Sequence, residues 1–134
     1  MKYIIADSDE QTGIDLKEIL DSFETLEFRG NFTDLEAVEK SIHREAPDIA
    51  FIRIGKVEQN AFKLVREIRQ LNPLSKVFIH SIHKEYAVEA FECEADGFFL
   101  LPFVEEKVIH LLEISNLNKL KQSKTVNRRN YYRI

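Results

Sequence analysis

The hydrophobic positions of the chain alternate between two spacings, and this alternation predicts five strands and five helices. Short runs of apolar residues are typical of strands that are buried on both faces of a parallel sheet. Four such runs are predicted as strands: Tyr3–Ala6, Ile49–Ile52, Val77–Ile79 and Gly97–Leu101. In a further segment, Leu26, Phe28 and Phe32 are spaced by multiples of two with polar residues between them. That pattern indicates a strand with one more solvent-exposed face, near a sheet edge.

Between these strands, apolar residues recur at helical spacing. The predicted apolar positions are Leu16, Ile19, Leu20 and Phe23 in the first helix, Leu35, Val38 and Ile42 in the second, Phe62, Val65, Ile68 and Leu71 in the third, Ala87, Ala90 and Phe91 in a short helix over residues 86–91, and Val108, Leu111, Leu112 and Leu117 in a last helix from Val104 to about Leu120. Two capping boxes are predicted at helix starts, Ser8 with Gln11 and Thr33 with Glu36. Strands that alternate with helices predict an α/β fold of three layers, a parallel sheet with helices on both faces.

The chain has 134 residues, which favours a single domain with one core region. The longest uncharged apolar run, Gly97 to Phe103, is far shorter than the roughly 20 residues that span a bilayer, so no membrane segment is expected. The first residues, MKYIIADSDE, do not form a signal peptide pattern. The single cysteine, Cys93, excludes an internal disulfide and suits a cytoplasmic protein.

Charge is distributed unevenly within the net value of −4. From Asn116 onward there are six basic residues and no acidic ones, so the remaining 13 basic and 23 acidic residues give the body a charge of −10. We therefore divide the chain into a domain over residues 1–121 and a basic tail over residues 122–134. The tail is interpreted as a solvated linker toward an output domain or as a contact for nucleic acid or an acidic partner.

In an open parallel sheet, ligands bind beyond the carboxyl ends of the strands, where the strand order reverses. The side chains expected at those ends are Asp7 and Ser8 after the first strand, Arg53 and Ile54 after the third, His80 and Ser81 after the fourth, and Leu101 and Pro102 after the fifth. This set contains one carboxylate, one guanidinium and one imidazole among hydroxyl and apolar groups.

Four segments in this order resemble the receiver domain of response regulators, the CheY-like fold of two-component systems. They are IIADSDE at the first turn, PDIAFIRI at the third strand, VFIHS at the fourth, and EADGFFLLPF at the fifth. The segment EYAVEAFECEADGFFLLPF further resembles receivers that precede LytTR-type or similar DNA-binding domains. The resemblance covers residues 1 to about 115, and it implies a flavodoxin-like sheet with the strand order 2-1-3-4-5.

The family transfers a phosphoryl group to an aspartate at the end of the third strand, and two acids after the first strand hold a magnesium ion. A hydroxyl after the fourth strand and a lysine after the fifth contact the phosphoryl oxygens. By position, Asp7 matches one acid and Ser81 matches the hydroxyl. Ser8, Arg53 and Leu101 stand where the second acid, the acceptor aspartate and the lysine are expected.

These departures predict that the phosphorylation chemistry is lost. A guanidinium stays protonated and cannot attack phosphorus. The family's three carboxylates and one lysine carry a formal charge of −2, whereas Asp7 and Arg53 sum to zero, so magnesium binding is expected to be weak or absent. We expect Arg53 to replace the metal by bonding to Asp7, and its guanidinium to contact Ser81 as well. The alternative is that Arg53 points into solvent. Asp9 and Glu10 are expected to face outward.

Two other chemistries could in principle occupy this edge of the sheet. His80, His83 and Cys93 match no recognised metal-ligand spacing, so a polar rim histidine and a packed thiol are expected instead. A flavin phosphate would meet the acids of Asp7 to Glu10 rather than the backbone amides that bind a dianion. Neither a metal nor an organic cofactor is therefore expected.

Recognition is the function that remains, and no enzymatic activity is expected. The resemblance implies a homodimer through the fourth helix, fifth strand and fifth helix, with contacts at Tyr86, Glu89, Phe98, Glu106, His110 and Glu113. Phe98 stands where receivers carry a switch aromatic, although ordinary strand burial also explains it.

We expect a phosphorylation-independent pseudo-receiver that controls an attached DNA-binding output by dimerisation. The alternatives are a stand-alone adaptor and a receiver phosphorylated at a non-standard residue. A histidine kinase or an effector protein would be the partner, and nucleic acid would bind only through an output domain or the basic tail.

Overall fold

The computed structural model describes residues 1–55 and 60–117 of the chain. The strands are β1 (Lys2–Ala6), β2 (Glu27–Phe32), β3 (Ile49–Arg53), β4 (Lys76–Ser81) and β5 (Gly97–Leu100). The helices are α1 (Glu10–Leu20), α2 (Leu35–Arg44), α3 (Ala61–Leu71), α4 (Tyr86–Glu92) and α5 (Glu105–Leu112), and a π-helical turn over Glu113–Leu117 follows α5. Elements and order agree with the prediction to within a few residues.

All five strands pair in parallel in the order β2-β1-β3-β4-β5, which confirms the predicted topology. Successive side chains of a strand point to opposite faces of the sheet. Tyr3 and Ile5 therefore enter a core with Leu16 of α1 and Val108 of α5, on one face. On the other face, Ile4 and its neighbours pack against α2, α3 and α4. The result is the predicted three-layer α/β architecture, with one apolar cluster on each side of the sheet.

Strand β2 lies at the edge of the sheet, as predicted, but its aromatic residues do not share one face. The pairing register shifts by one residue, because Tyr3 pairs with Phe28 whereas Ile4 pairs with Gly30. The extra residue reverses the side-chain alternation, so Phe28 packs on the α1–α5 side and Phe32 on the other side. Spacing by multiples of two was therefore a wrong indication of a common face.

Aspartates begin the first two helices, so the two predicted capping boxes are wrong by one residue. Asp9 is the N-cap residue of α1, and its Oδ2 accepts a hydrogen bond from Thr12 Oγ1 at 2.6 Å. Asp34 is the N-cap residue of α2 and accepts a hydrogen bond from the backbone N–H of Ala37 at 2.8 Å. Asp34 thereby satisfies an amide that the helix leaves without a partner, whereas the Asp9 side chain bonds to a hydroxyl and makes no cap hydrogen bond to the backbone. Ser8 therefore lies outside α1, at the top of the sheet.

The C-terminal helix differs from the prediction at both ends. Val104 is the N-cap residue rather than the first helical residue, and the α-helix ends at Leu112 before the π-helical turn. Leu120, the side chain of Leu117 and the basic tail lie outside the described residues, so the division at residues 121 and 122 stays a prediction. No helix of the described part is long and apolar enough to cross a membrane.

Candidate functional site

The two central strands, β1 and β3, end side by side and bring Asp7 and Arg53 together. Ala6 pairs with Ile52, and the next residue of each strand carries one of the two charged groups. Arg53 Nη1 donates a hydrogen bond to Asp7 Oδ1 at 3.1 Å, and the two side chains are 16% and 0% exposed. The predicted pairing of Arg53 with Asp7 is confirmed, and the alternative in which Arg53 points into solvent is wrong.

A third member of this cluster, His80, was expected to lie at the polar rim, and that expectation is wrong. His80 is opposite Arg53 in the β3–β4 register and its side chain is fully buried. Its Nε2 lies 2.8 Å from Asp7 Oδ2, and its ring contacts the ring of Phe103 with centroids 5.0 Å apart. The alternation of β4 gave a usable signal, because His80 follows Phe78 by two residues and Phe78 is a buried core position.

The Asp7 carboxylate is held as an anion by the groups around it. Burial favours the neutral form of a carboxyl. This effect is outweighed by the hydrogen bond and charge of His80, by the backbone N–H of Asp9 and by the charge of Arg53. The pKa of Asp7 is consequently below its ordinary value of 3.8. Oδ1 accepts from Arg53 and from the Asp9 amide at 2.8 Å, and Oδ2 contacts His80. We call Asp7, Arg53 and His80 the buried triad.

The other predicted pocket residues lie at the same edge of the sheet. Ser8 is exposed, and Leu101, one residue beyond β5, is half-buried. Ser81 is buried, and its Oγ accepts a hydrogen bond from the backbone N–H of His83 at 3.1 Å. The structure thus gives Ser81 a role in shaping the β4–α4 loop.

No group of three or more His, Cys, Asp or Glu side chains in the described residues is placed to hold a metal ion. Asp9 and Glu10 are exposed, as expected. Cys93 Sγ contacts the backbone carbonyl of Ala90 at 3.2 Å, in keeping with the packed thiol that was predicted.

The predicted interaction face is only partly accessible. Glu89 and Glu106 are exposed, and Tyr86, Phe98 and His110 are half-buried. Glu113 is the exception, because only 5% of it is exposed in the isolated chain, so it cannot serve as the expected contact in this conformation. Phe98 packs against the core formed with α2, α3 and α4.

Four apolar residues on and beside this face are exposed, and the sequence pattern did not predict their exposure. Val88 and Phe91 of α4 are each 65% exposed, Leu100 is 51% exposed and Val104 is 44% exposed. Phe91 was expected on the packed side of its helix, and that expectation is wrong, because α4 buries Ala90 instead. These side chains leave part of the α4–β5–α5 face apolar and exposed.

Several known proteins are similar to this chain in sequence and in structure. The sensory transduction protein LytT of Bacillus cereus is 27% identical over 126 residues, which cover 93% of this chain and 51% of that protein. The LytR protein of Streptococcus agalactiae is 32% identical over 92 residues, 69% of this chain and 37% of that protein. The crystal structure of the response regulatory domain of MrkE from Klebsiella pneumoniae matches with a TM-score of 0.78 and 27% identity, over 92% of this chain and all of that domain.

The chain resembles response-regulator receiver domains in both sequence and fold. No family model matches the chain. The receiver-like chain spans about half the length of the LytT proteins that it matches. Its similarity to MrkE extends over the whole of that response regulatory domain, so the resemblance includes the strand ends where Asp7 and Arg53 lie.

Proposed function

We propose that this receiver-like domain signals without phosphorylation and acts by association with other proteins rather than as an enzyme. The observation that carries the proposal is the bond between Arg53 and Asp7. A cationic side chain occupies the end of β3, and it is paired with the one carboxylate at the matched positions. Phosphoryl transfer at this place needs an anion that can attack phosphorus, and a guanidinium has no lone pair to offer.

The same cluster argues against a magnesium ion. Magnesium binds through carboxylate oxygens and water in a near-octahedral shell. Both oxygens of Asp7 are already engaged by donors, and Ser8 and Leu101 supply no charge. A divalent cation would have to displace the Arg53 guanidinium and would gain only one carboxylate, so weak or absent binding follows.

In this proposal Arg53 takes the place of the metal and holds the site in one conformation. Hydrogen bonds to charged groups are shorter and stronger than those between neutral groups, and the low exposure of Asp7 reduces screening by water. Asp7 is restrained from three directions, by β3, by β4 and by the first turn of α1. The receiver fold would then present a constant surface rather than one that switches.

The surface through which it acts is proposed to be the α4–β5–α5 face. The exposed apolar side chains of Val88, Phe91, Leu100 and Val104 lie on or beside these elements, and Glu89 and Glu106 surround them with charge. A homodimer through this face would bury the apolar surface, as receiver domains commonly do.

Relatives of this chain are named as sensory transduction and transcriptional regulatory proteins, and the chain spans about half of their length. We therefore propose that the domain controls a DNA-binding output, with a histidine kinase or an effector as a further partner. Nucleic acid would bind through that output or through the basic tail, and the cytoplasm is the proposed location.

The test compares the native chain with the triple variant S8D/R53D/L101K, which restores every missing side-chain type. Beryllofluoride and magnesium are added to each protein, and backbone amide spectra are recorded together with light scattering over a concentration series. We expect no spectral change and the same association constant for the native chain, and a response in the triple variant. A native chain whose spectrum and association respond to beryllofluoride would refute the proposal.

A further inference from the structure

A cavity of about 270 Å³ lies beside the buried triad, between the carboxyl ends of β1 and β3 and the first turns of α2 and α3. The strand order reverses between β1 and β3, since the chain passes from β1 to one neighbour and later to the other. Crevices at such a reversal are where open α/β sheets bind their ligands. The cavity is therefore at the position in the fold where a small molecule is most readily held.

The inner wall of the cavity is apolar and well ordered by packing. Ala6, Ile52, Val38 and Leu64 line it, and each of them is buried in the core on that face of the sheet. The outer residues are polar and exposed, among them Ser8, Thr33 and Asn60. An apolar interior with a few hydrogen-bonding groups at the mouth is the usual composition of a small-molecule site.

Among the lining residues that the structure describes, three carry a charge, and each of them is already bonded within the chain. Asp7 and Arg53 are paired with each other, and Asp34 accepts the hydrogen bond that caps α2. A charged ligand would enter this apolar space with its own charge uncompensated, or would have to break one of these bonds. The charge balance of the lining therefore favours an uncharged ligand.

We propose that this cavity is a binding site for a small neutral molecule with an apolar body and one hydrogen-bonding group, such as an amide, alcohol or lactone. A dry cavity of about 150 Å³ holds benzene, so by proportion this one holds about ten non-hydrogen atoms. The apolar body lies against Ile52 and Leu64, and the polar group is at the mouth near Ser8, Thr33 and Asn60. A site of this kind would give a domain without phosphorylation chemistry a chemical input. The inference does not depend on the loss of phosphorylation, and its test uses no phosphodonor.

Three probes of nearly equal size and different charge test the proposal: benzamide, benzoate and benzylammonium. Each is titrated into the whole chain while backbone amide spectra are recorded. Benzamide is expected to shift the amides of Ala6, Ile52 and Leu64 with a dissociation constant on the order of 1 mM, as suits so small a ligand. Benzoate and benzylammonium are expected to bind at least about tenfold more weakly.

Two variants and a matched control place the binding in this cavity. Ala61→Leu fills the cavity from α3, and we expect the benzamide affinity to fall at least about fivefold. Ala87→Leu makes the same change on α4, beside the groove between α4 and α5, and should leave benzamide binding unchanged. Leu35→Asp introduces a free charge at the mouth, where an acid is favoured by the N-terminus of α2, and should make benzylammonium bind more tightly than benzoate.

The amide spectrum of each variant reports whether it is folded, and Leu35 is 38% exposed, so its replacement costs little packing. If Ala61→Leu does not fold, the selectivity of Leu35→Asp still decides the question. The proposal would be overturned by equal binding of the three probes or by an absence of saturation. It would also be overturned by amide shifts confined to the α4–α5 groove, or by an unchanged order of affinities in Leu35→Asp.

Discussion

The bond between Arg53 and Asp7 should contribute far more to stability than an ion pair of the same length on the surface. The perturbation is a double-mutant cycle with Arg53→Met and Asp7→Asn, in which each substitution removes a charge and keeps most of the shape. The N···O distance is 3.1 Å and the side chains are 16% and 0% exposed. Two unit charges about 4 Å apart interact by about 4 kcal/mol at an effective dielectric constant of about 20.

Desolvation of the two groups offsets part of that attraction, so a coupling energy of about 1–3 kcal/mol is expected from the cycle. The matched control is Lys40 with Glu36 on α2, whose N···O distance is also 3.1 Å but whose side chains are 72% and 78% exposed. That pair should show a coupling several times smaller, because water and salt screen it.

Both cycles are measured by urea unfolding at neutral pH, once in low salt and once in about 0.5 M salt, where the Debye length is short. The coupling of Arg53 with Asp7 should persist in high salt, whereas the coupling of Lys40 with Glu36 should disappear. Equal coupling energies for the two pairs, or a buried pair that is lost in salt, would refute the reasoning from burial.

Three further outcomes follow from the buried triad and the interaction face. Because the pKa of Asp7 is lowered in the folded chain, its anion stabilises the fold above pH 3.8, and this contribution should be lost as the pH falls from there through the lowered pKa. Urea unfolding between about pH 6 and pH 2 should therefore show a steeper loss of stability for the native chain than for Asp7→Asn, and parallel curves would contradict the linkage. His80→Phe keeps an aromatic ring beside Phe103 but removes the bond to Asp7, so it should lower the free energy of unfolding by about 1–3 kcal/mol; a neutral or stabilising effect would show that the bond contributes nothing. Phe91→Glu on α4 should weaken self-association at least about tenfold in light scattering without changing the unfolding midpoint, and an unaltered association constant would place the dimer interface elsewhere.

The sequence pattern predicted the sheet because each central strand is a short apolar run with an unambiguous period. The same pattern placed Asp7 and Arg53 at the carboxyl edge of the sheet, but it did not show that their strands are neighbours. A resemblance in four segments supplied the strand order, which periodicity alone does not determine.

The missed features depend on contacts that local patterns do not encode. His80 meets a carboxylate 73 residues away along the chain, so only the tertiary structure reveals that the buried imidazole has a charged partner. The N-cap positions were displaced by one residue, because Ser8 and Thr33 each precede an aspartate that occupies the N-cap position. Glu113 was expected as a surface contact from the resemblance to receiver dimers, but it begins the π-helical turn and is buried there.

The most direct test of the account is the mass of the intact chain after incubation with acetyl phosphate and magnesium. We predict an unchanged mass, because the end of β3 carries a guanidinium that is bonded to Asp7. The triple variant S8D/R53D/L101K, treated in the same way, should gain one phosphoryl group. A stable phosphoryl adduct on the native chain, on Asp7 or on any residue at the carboxyl edge of the sheet, would contradict it.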